Sequence, residues 1–322
     1  MGAMTRTPAS PRAQATPAQI WAALWAVYII WGTTYLAIRV ANETLPPLIA
    51  AGIRFVIAGG ALYAWSIRRG DTVGDRPTRA NWRAAAIVGI GLVAGGNGLV
   101  VLAERTVPSG TISLIIALVP LWMALIDRVL LGHEVRWKTT LGLVLGFGGT
   151  ALLIGGTALD VGVPLSGMLV GVLASLSWTS ASLYSRNAPL PKRPLVGAGM
   201  EMLIGGAVLV VAGVLRGEVA LVSPEDFSSA SLLALLYLIV IGSWVGFTSY
   251  VWLLRKARTS LVSTYAYVNP IVAISLGWLV LDETLTLRLV LAAAIAIAGV
   301  AIIISSGGTA RREEPVLEAE IA

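Results

Sequence analysis

Ten runs of apolar residues, each close to the length a helix needs to cross a bilayer, govern what this chain can fold into. A helix rises ~1.5 Å per residue, so a ~30 Å hydrocarbon core takes about 20 residues. Runs of that kind occupy 20–41, 48–67, 82–103, 110–131, 139–156, 166–186, 195–215, 231–254, 261–281 and 287–305. Pro46-Pro47, Pro108-Ser109-Gly110, Pro191 to Pro194 and Pro224 punctuate them. The connections are too short for a separate domain. The expected fold is an all-α membrane protein of ten transmembrane helices. A Pro/Ala/Thr-rich N-terminus over 1–19 is expected to be disordered, and 306–322 form a tail.

Composition narrows the function. Charged residues make up 12% of the chain, about half the ~25% of a soluble domain. A soluble enzyme, a disordered protein and a nucleic-acid reader are excluded together. The +6 net charge sits in loops between spans, which makes it a topology signal; no nucleic-acid partner is expected. There is no Cys, and His133 is the sole His, so neither a zinc motif nor a Ser-His-Asp triad can form. Lys138, Lys192 and Lys256 all lie between spans, and no phosphate-binding loop is present. No catalysis, metal or cofactor is expected; the partners are the lipid bilayer and a small molecule.

Lys and Arg set the orientation. With the N-terminus inside, 18 of the 23 fall on the inner side; Arg39, Arg105, Arg216 and Arg288 fall outside, and Arg54 lies within a span. Both termini are expected in the cytoplasm.

The two halves of the chain resemble each other. An offset of 147 carries Trp31 to Trp178, Arg39 to Arg186, Pro47 to Pro194 and Gly52 to Gly199, and sets Arg54 against Glu201. An offset of 150 carries Ser113 to Ser263 and Pro120 to Pro270. The units are 20–156 and 166–305, five spans each. An odd number makes the second enter from the opposite face, the inverted-topology repeat of many secondary transporters.

Within the spans, polar and aromatic residues mark candidate sites. Trp21, Trp25, Trp65, Trp82, Trp137 and Trp252 lie near span ends, where indoles anchor at the interface. Trp31, Trp122, Trp178 and Trp244 lie near mid-span, where an indole N–H needs an acceptor. With Tyr35, Asn97, Ser182, Ser263, Tyr267 and Asn269 they form the candidate substrate-binding set, the alternative for each being helix packing. Asn269 precedes Pro270, which reads as a broken, polar stretch of the ninth span. Arg54, Asp127 and Glu201 are the intramembrane charges and the candidates for coupling or gating. Arg54 could bind a carboxylate, snorkel or cap carbonyls, and a direct Arg54–Glu201 pair is not expected. Glycine stripes on the third and fifth spans read as packing, and that of the fifth could serve a homodimer.

Trp31-Gly32-Thr33-Thr34-Tyr35 through Arg39, Arg54-Phe55, Trp178 to Arg186, and Pro270 through Gly277 to Asp282-Glu283 resemble the drug/metabolite transporter superfamily, specifically its EamA-type ten-helix members. Among these the chain is most similar to the YddG-type aromatic amino-acid exporters of bacterial inner membranes. The resemblance implies helices 1–4 and 6–9 around a central cavity with helices 5 and 10 peripheral. It further implies export of aromatic or other neutral amino acids. Asp127 departs from it, standing where the repeat has Gly277. The expected function is a secondary inner-membrane exporter of small metabolites working by alternating access. The alternatives are an EamA-type exporter of other metabolites or drugs, and a passive pore.

Overall fold

The computed structural model describes residues 15–69, 76–131, 137–160, 163–257, 259–262 and 264–305. Ten apolar helices carry the chain: α1 Pro17–Ala41, α2 Pro47–Arg68, α3 Arg79–Ala103, α4 Ser109–Ile116 resuming as Val119–Leu131, α5 Trp137–Asp160, α6 Leu165–Ser185, α7 Pro194–Leu215, α8 Ser229–Leu254, α9 Tyr265–Leu281 and α10 Leu287–Ser305. No strand occurs among the described residues. Proline at the first position of α2 and α7 costs no helical hydrogen bond, because the first amides of a helix lack partners in any case. α1 starts earlier than the sequence suggests. Thr16 Oγ1 accepts from the Gln19 amide (3.3 Å) while Gln19 Oε1 accepts from the Thr16 amide (3.0 Å). This reciprocal cap satisfies two orphan donors and draws Pro17 to Gln19 into the helix.

The packing obeys the repeat. Counterpart helices lie five apart, and the most extensive pairings join counterparts directly, α2 to α7 and α5 to α10. The other principal contacts come in exchanged pairs: α1 with α8 answers α6 with α3, and α1 with α9 answers α6 with α4. α5 and α10 form a peripheral pair, and the remaining eight helices enclose the centre. The glycine stripe of α5 is spent on this pairing. A Cβ on Gly149 would lie 2.6 Å from the Ala296 amide nitrogen, and one on Gly142 2.8 Å from the Gly299 carbonyl oxygen. α10 therefore packs directly on this glycine face.

Two departures from regular helix shape the interior. α3 and α8, which are counterparts, each contain a π-helical segment at mid-span, Ile90–Gly98 and Leu238–Val245. A π turn shifts the side-chain register and leaves carbonyls open to side-chain donors. Asn97 Nδ2 takes one of them, Leu92 O at 3.2 Å. The expected break in the ninth span is not at Asn269-Pro270: α9 runs unbroken through Pro270. Oriented to satisfy its neighbours, the Asn269 amide donates to the carbonyls of Tyr28 (3.2 Å) and Tyr265 (3.3 Å), which ties the proline turn to α1. The interrupted helix is α4, at Ala117–Leu118. There Pro120 has no N–H to offer Ile116 and its ring crowds that carbonyl.

Candidate functional site

A central cavity, about 880 Å³ of empty space including its opening, lies between α1, α2, α3, α4, α6, α8 and α9. Trp31 and Trp178, counterparts in the repeat, both line it. Each indole rests on a glycine of the other half. A Cβ on Gly246 of α8 would fall 2.6 Å from Trp31 Nε1, and one on Gly96 of α3 would fall 2.7 Å from Trp178 Cε3. Around Trp31 an aromatic wall is built from Tyr250 (centroids 4.9 Å apart), Tyr265 (5.2 Å) and Phe247 (5.8 Å). The Tyr250 ring is tilted and the other two are edge-on, contacts that fix ring orientation and leave a rigid apolar surface.

Among the described residues one charged side chain lines the cavity. Arg54 is 5% exposed, its Nε donates to Ser243 Oγ at 2.8 Å, and its guanidinium lies 4.5 Å from the Phe55 ring centroid. Ser243 belongs to the π segment of α8, so that irregularity supplies the arginine's partner. Glu201 is elsewhere, on the wall of a wide vestibule, with Ser182 on the same wall.

The cavity thus gathers Trp31, Tyr35, Asn97, Trp178, Asn269 and Arg54 from the sequence candidates. It does not gather Trp122, Trp244 or Tyr267. Trp122 donates its Nε1 to Ser175 Oγ (2.9 Å) and packs edge-on to Phe147 of α5 (4.6 Å between centroids). Trp244 is on the outer surface at 37% exposure, and Tyr267 packs against the main core. Ser263 and the side chain of Asp127 lie outside the described residues. Thr34 and Phe55, which the family resemblance already marks, line the cavity too, and Tyr265 does so without having been singled out. Tyr265 follows the break before α9, and its inward aim has no sequence signal.

The two faces of the bundle differ. The vestibule opens beside the α6–α7 connection, lined by Arg186, Pro191 and Pro194, with Leu254 and Ile304 at the ends of α8 and α10. This is the face at which α1 begins and α10 ends. Trp31 and Trp178 stand where it meets the cavity. The opposite face is laced shut. Glu218 Oε2 accepts the amides of Leu48 (2.9 Å) and Ile49 (3.0 Å) at the start of α2. Glu283 accepts the amides of Ser109 (2.7 Å) and Gly110 (3.3 Å) at the start of α4. Both are carboxylates on helix N-termini, where the unpaired amides and the helix dipole favour negative charge. Arg39 donates to the Glu104 carbonyl, and Asn42 Nδ2 to the Val101 carbonyl at 3.0 Å.

Two inverted five-helix halves around a central cavity that opens at one face define a multi-pass membrane transporter. The EamA-like transporter family profile matches residues 18–155 and 165–305, and the chain belongs to that family. It is 38% identical over 268 residues to the uncharacterized inner membrane transporter YedA of Escherichia coli (strain K12), covering 83% of this chain and 84% of that protein. The uncharacterized transporter YoaV of Bacillus subtilis (strain 168) is 24% identical over 277 residues, 85% of this chain and 92% of its own. A crystal structure at 22% identity superimposes with a TM-score of 0.59 over 89% of this chain and 96% of its own, a likeness of fold alone.

Proposed function

We propose that this chain is a bacterial inner-membrane carrier exporting small metabolites, aromatic and other neutral amino acids foremost, by alternating access with both termini in the cytoplasm. The observation that carries the reading is the pair of counterpart indoles, Trp31 and Trp178, facing one cavity from the two halves of the repeat. Flat apolar walls with few polar groups suit a small aromatic solute. The difference between the faces supports alternation. Arg39 is engaged at the closed face, while its counterpart Arg186 lines the open vestibule. Exchange of the two halves' conformations would close the vestibule and open the other side. The name of the Escherichia coli relative supports the inner membrane, and the excess of Lys and Arg on the termini face supports the orientation.

Counterflow in proteoliposomes, with a panel of labelled amino acids, tests this. Saturable exchange of aromatic amino acids is expected, reduced at least ~10-fold in Trp178→Ala, as for a lost stacking surface of about 1.5 kcal/mol. Exchange only of other metabolites would sink the amino-acid reading, and flux that never saturates would favour a pore.

The glycine seats of the indoles give a subtler variant. Gly246→Ala and Gly96→Ala each place a methyl inside the ring's contact distance. Each is expected to raise the half-saturation concentration for an aromatic solute by about tenfold with the bundle still folded, the ~1–2 kcal/mol of a mild overpacking. Matching effects from the two variants would report the symmetric seating; an effect from one alone would show that only one indole meets the solute.

A further inference from the structure

Arg54 is buried, lines the central cavity, and is bonded through Nε alone, to Ser243. Its two terminal amino groups have no acceptor among the described residues. Glu104, whose charge bears on Arg54, makes no hydrogen bond through either carboxyl oxygen and so does not pair with it. Burial pushes that carboxyl, one residue beyond α3, well above the usual carboxylate range. The charge of Glu283 adds to the effect, and Arg39 and Arg54 pull against it.

The repeat does not require arginine here, since its counterpart in α7 is Glu201. A buried cation with an unfilled planar fork is costly to keep unless an anion completes it. Among the described residues no Asp or Glu lines the central cavity to receive an ammonium group. Three other polar side chains there each spend a donor on their own helix: Thr34 Oγ1 on the Trp31 carbonyl (2.6 Å), Ser113 Oγ on the Gly110 carbonyl (2.7 Å) and Asn97 Nδ2 on the Leu92 carbonyl.

Building on the carrier reading above, we propose that the Arg54 guanidinium is the anchor for the substrate's carboxylate, and that recognition needs this carboxylate but not an α-amino group. The substrate class then extends to small monocarboxylates with an aromatic or apolar body, whose single negative charge balances Arg54 better than a zwitterion does.

Counterflow of labelled phenylalanine is measured against two competitors, 3-phenylpropionate, which lacks the amino group, and phenethylamine, which lacks the carboxylate. 3-Phenylpropionate is expected to compete at least as well as phenylalanine. Phenethylamine should be ~30-fold weaker or worse, as for a lost charge-assisted pair. Arg54→Gln should lose exchange by a similar factor, and Arg54→Lys, which keeps the charge without the fork, should fall between. If Arg54→Gln does not fold, the wild-type competition order decides alone. Competition by phenethylamine and none by 3-phenylpropionate overturns the anchor and leaves amino-acid export standing. If phenylalanine does not exchange, labelled 3-phenylpropionate replaces it: exchange lost in Arg54→Gln sustains the anchor and overturns the amino-acid reading, and no exchange overturns both.

Discussion

Gly206→Leu is expected to abolish recovery of folded protein. The central α2–α7 crossing brings two backbones into contact. A Cβ at 206 would lie 2.8 Å from both the Gly52 carbonyl oxygen and the Val56 amide nitrogen, and 3.0 Å from Phe55 Cβ. Its counterpart behaves the same way: a Cβ at Gly59 would lie 2.9 Å from the Gly199 carbonyl oxygen and 2.6 Å from Met202 Cβ. These neighbours are backbone atoms or the Cβ atoms fixed to it and cannot turn aside. The helices would have to part, opening the most extensive contact in the bundle. Overpacking costs ~1–3 kcal/mol where side chains can adjust. Here it should exceed that and consume much of a typical 5–15 kcal/mol stability. Between two membrane helices close approach is itself the source of affinity, because lipid is as apolar as leucine. Gly59→Leu should match Gly206→Leu. Gly148→Ala, with nothing within 4 Å of the added carbon, should leave the protein intact. The measurement is the monodisperse fraction on size exclusion in detergent; normal recovery of Gly206→Leu would show that the crossing is loose.

That crossing also marks how far sequence reading reaches. The spans are legible because twenty apolar residues in a row have few other uses, and their observed bounds differ by a few residues. The duplication is legible because Trp, Pro and Gly recur at one spacing. The direction a residue faces is not. In water a helix shows its inner face by polarity, but here lipid and protein interior are equally apolar. Trp31 and Trp244 therefore look alike in sequence, although one lines the cavity and the other meets the outside. Position along a helix can be counted from sequence, and Arg54 falls within α2 by that count. Rotation about the axis is decided by neighbours such as Gly246 and Gly96. The π segment that aims Ser243 at Arg54, Leu238–Val245, reads in sequence as an ordinary apolar stretch. Glu218 and Glu283 were beyond reach for another reason: each lies between spans and acts on a helix more than 150 residues away in the chain.

Glu283→Ala should open the closed face. Among its ties this one is the most explicit, because the carboxylate holds two amides at the first turn of α4 and sits directly over Gly277. A Cβ at 277 would be 2.4 Å from Glu283 Oε2 and 3.1 Å from Ser109 Oγ. The glycine six residues before the glutamate is thus the space the carboxylate occupies, and Asp282 makes the turn between them with a positive φ of 53°. Each bond to a charged acceptor contributes ~1.5–3 kcal/mol when buried, and water returns part of it once the face opens. A net loss of about 2–3 kcal/mol moves the ratio of open to closed by ~30- to 150-fold. The absence of native cysteine makes the readout direct. Thr111, 2% exposed in the first turns of α4, is changed to Cys and challenged from the opposite face with a membrane-impermeant maleimide. The otherwise native chain should resist labelling, and Glu283→Ala should label readily. Glu283→Gln, which keeps an oxygen acceptor but no charge, should lie between. Gly277→Ala reaches the same state by displacing the carboxylate and leaving it in place chemically. Unchanged protection in both Glu283→Ala and Gly277→Ala would mean that apolar packing, and not these hydrogen bonds, keeps the face shut.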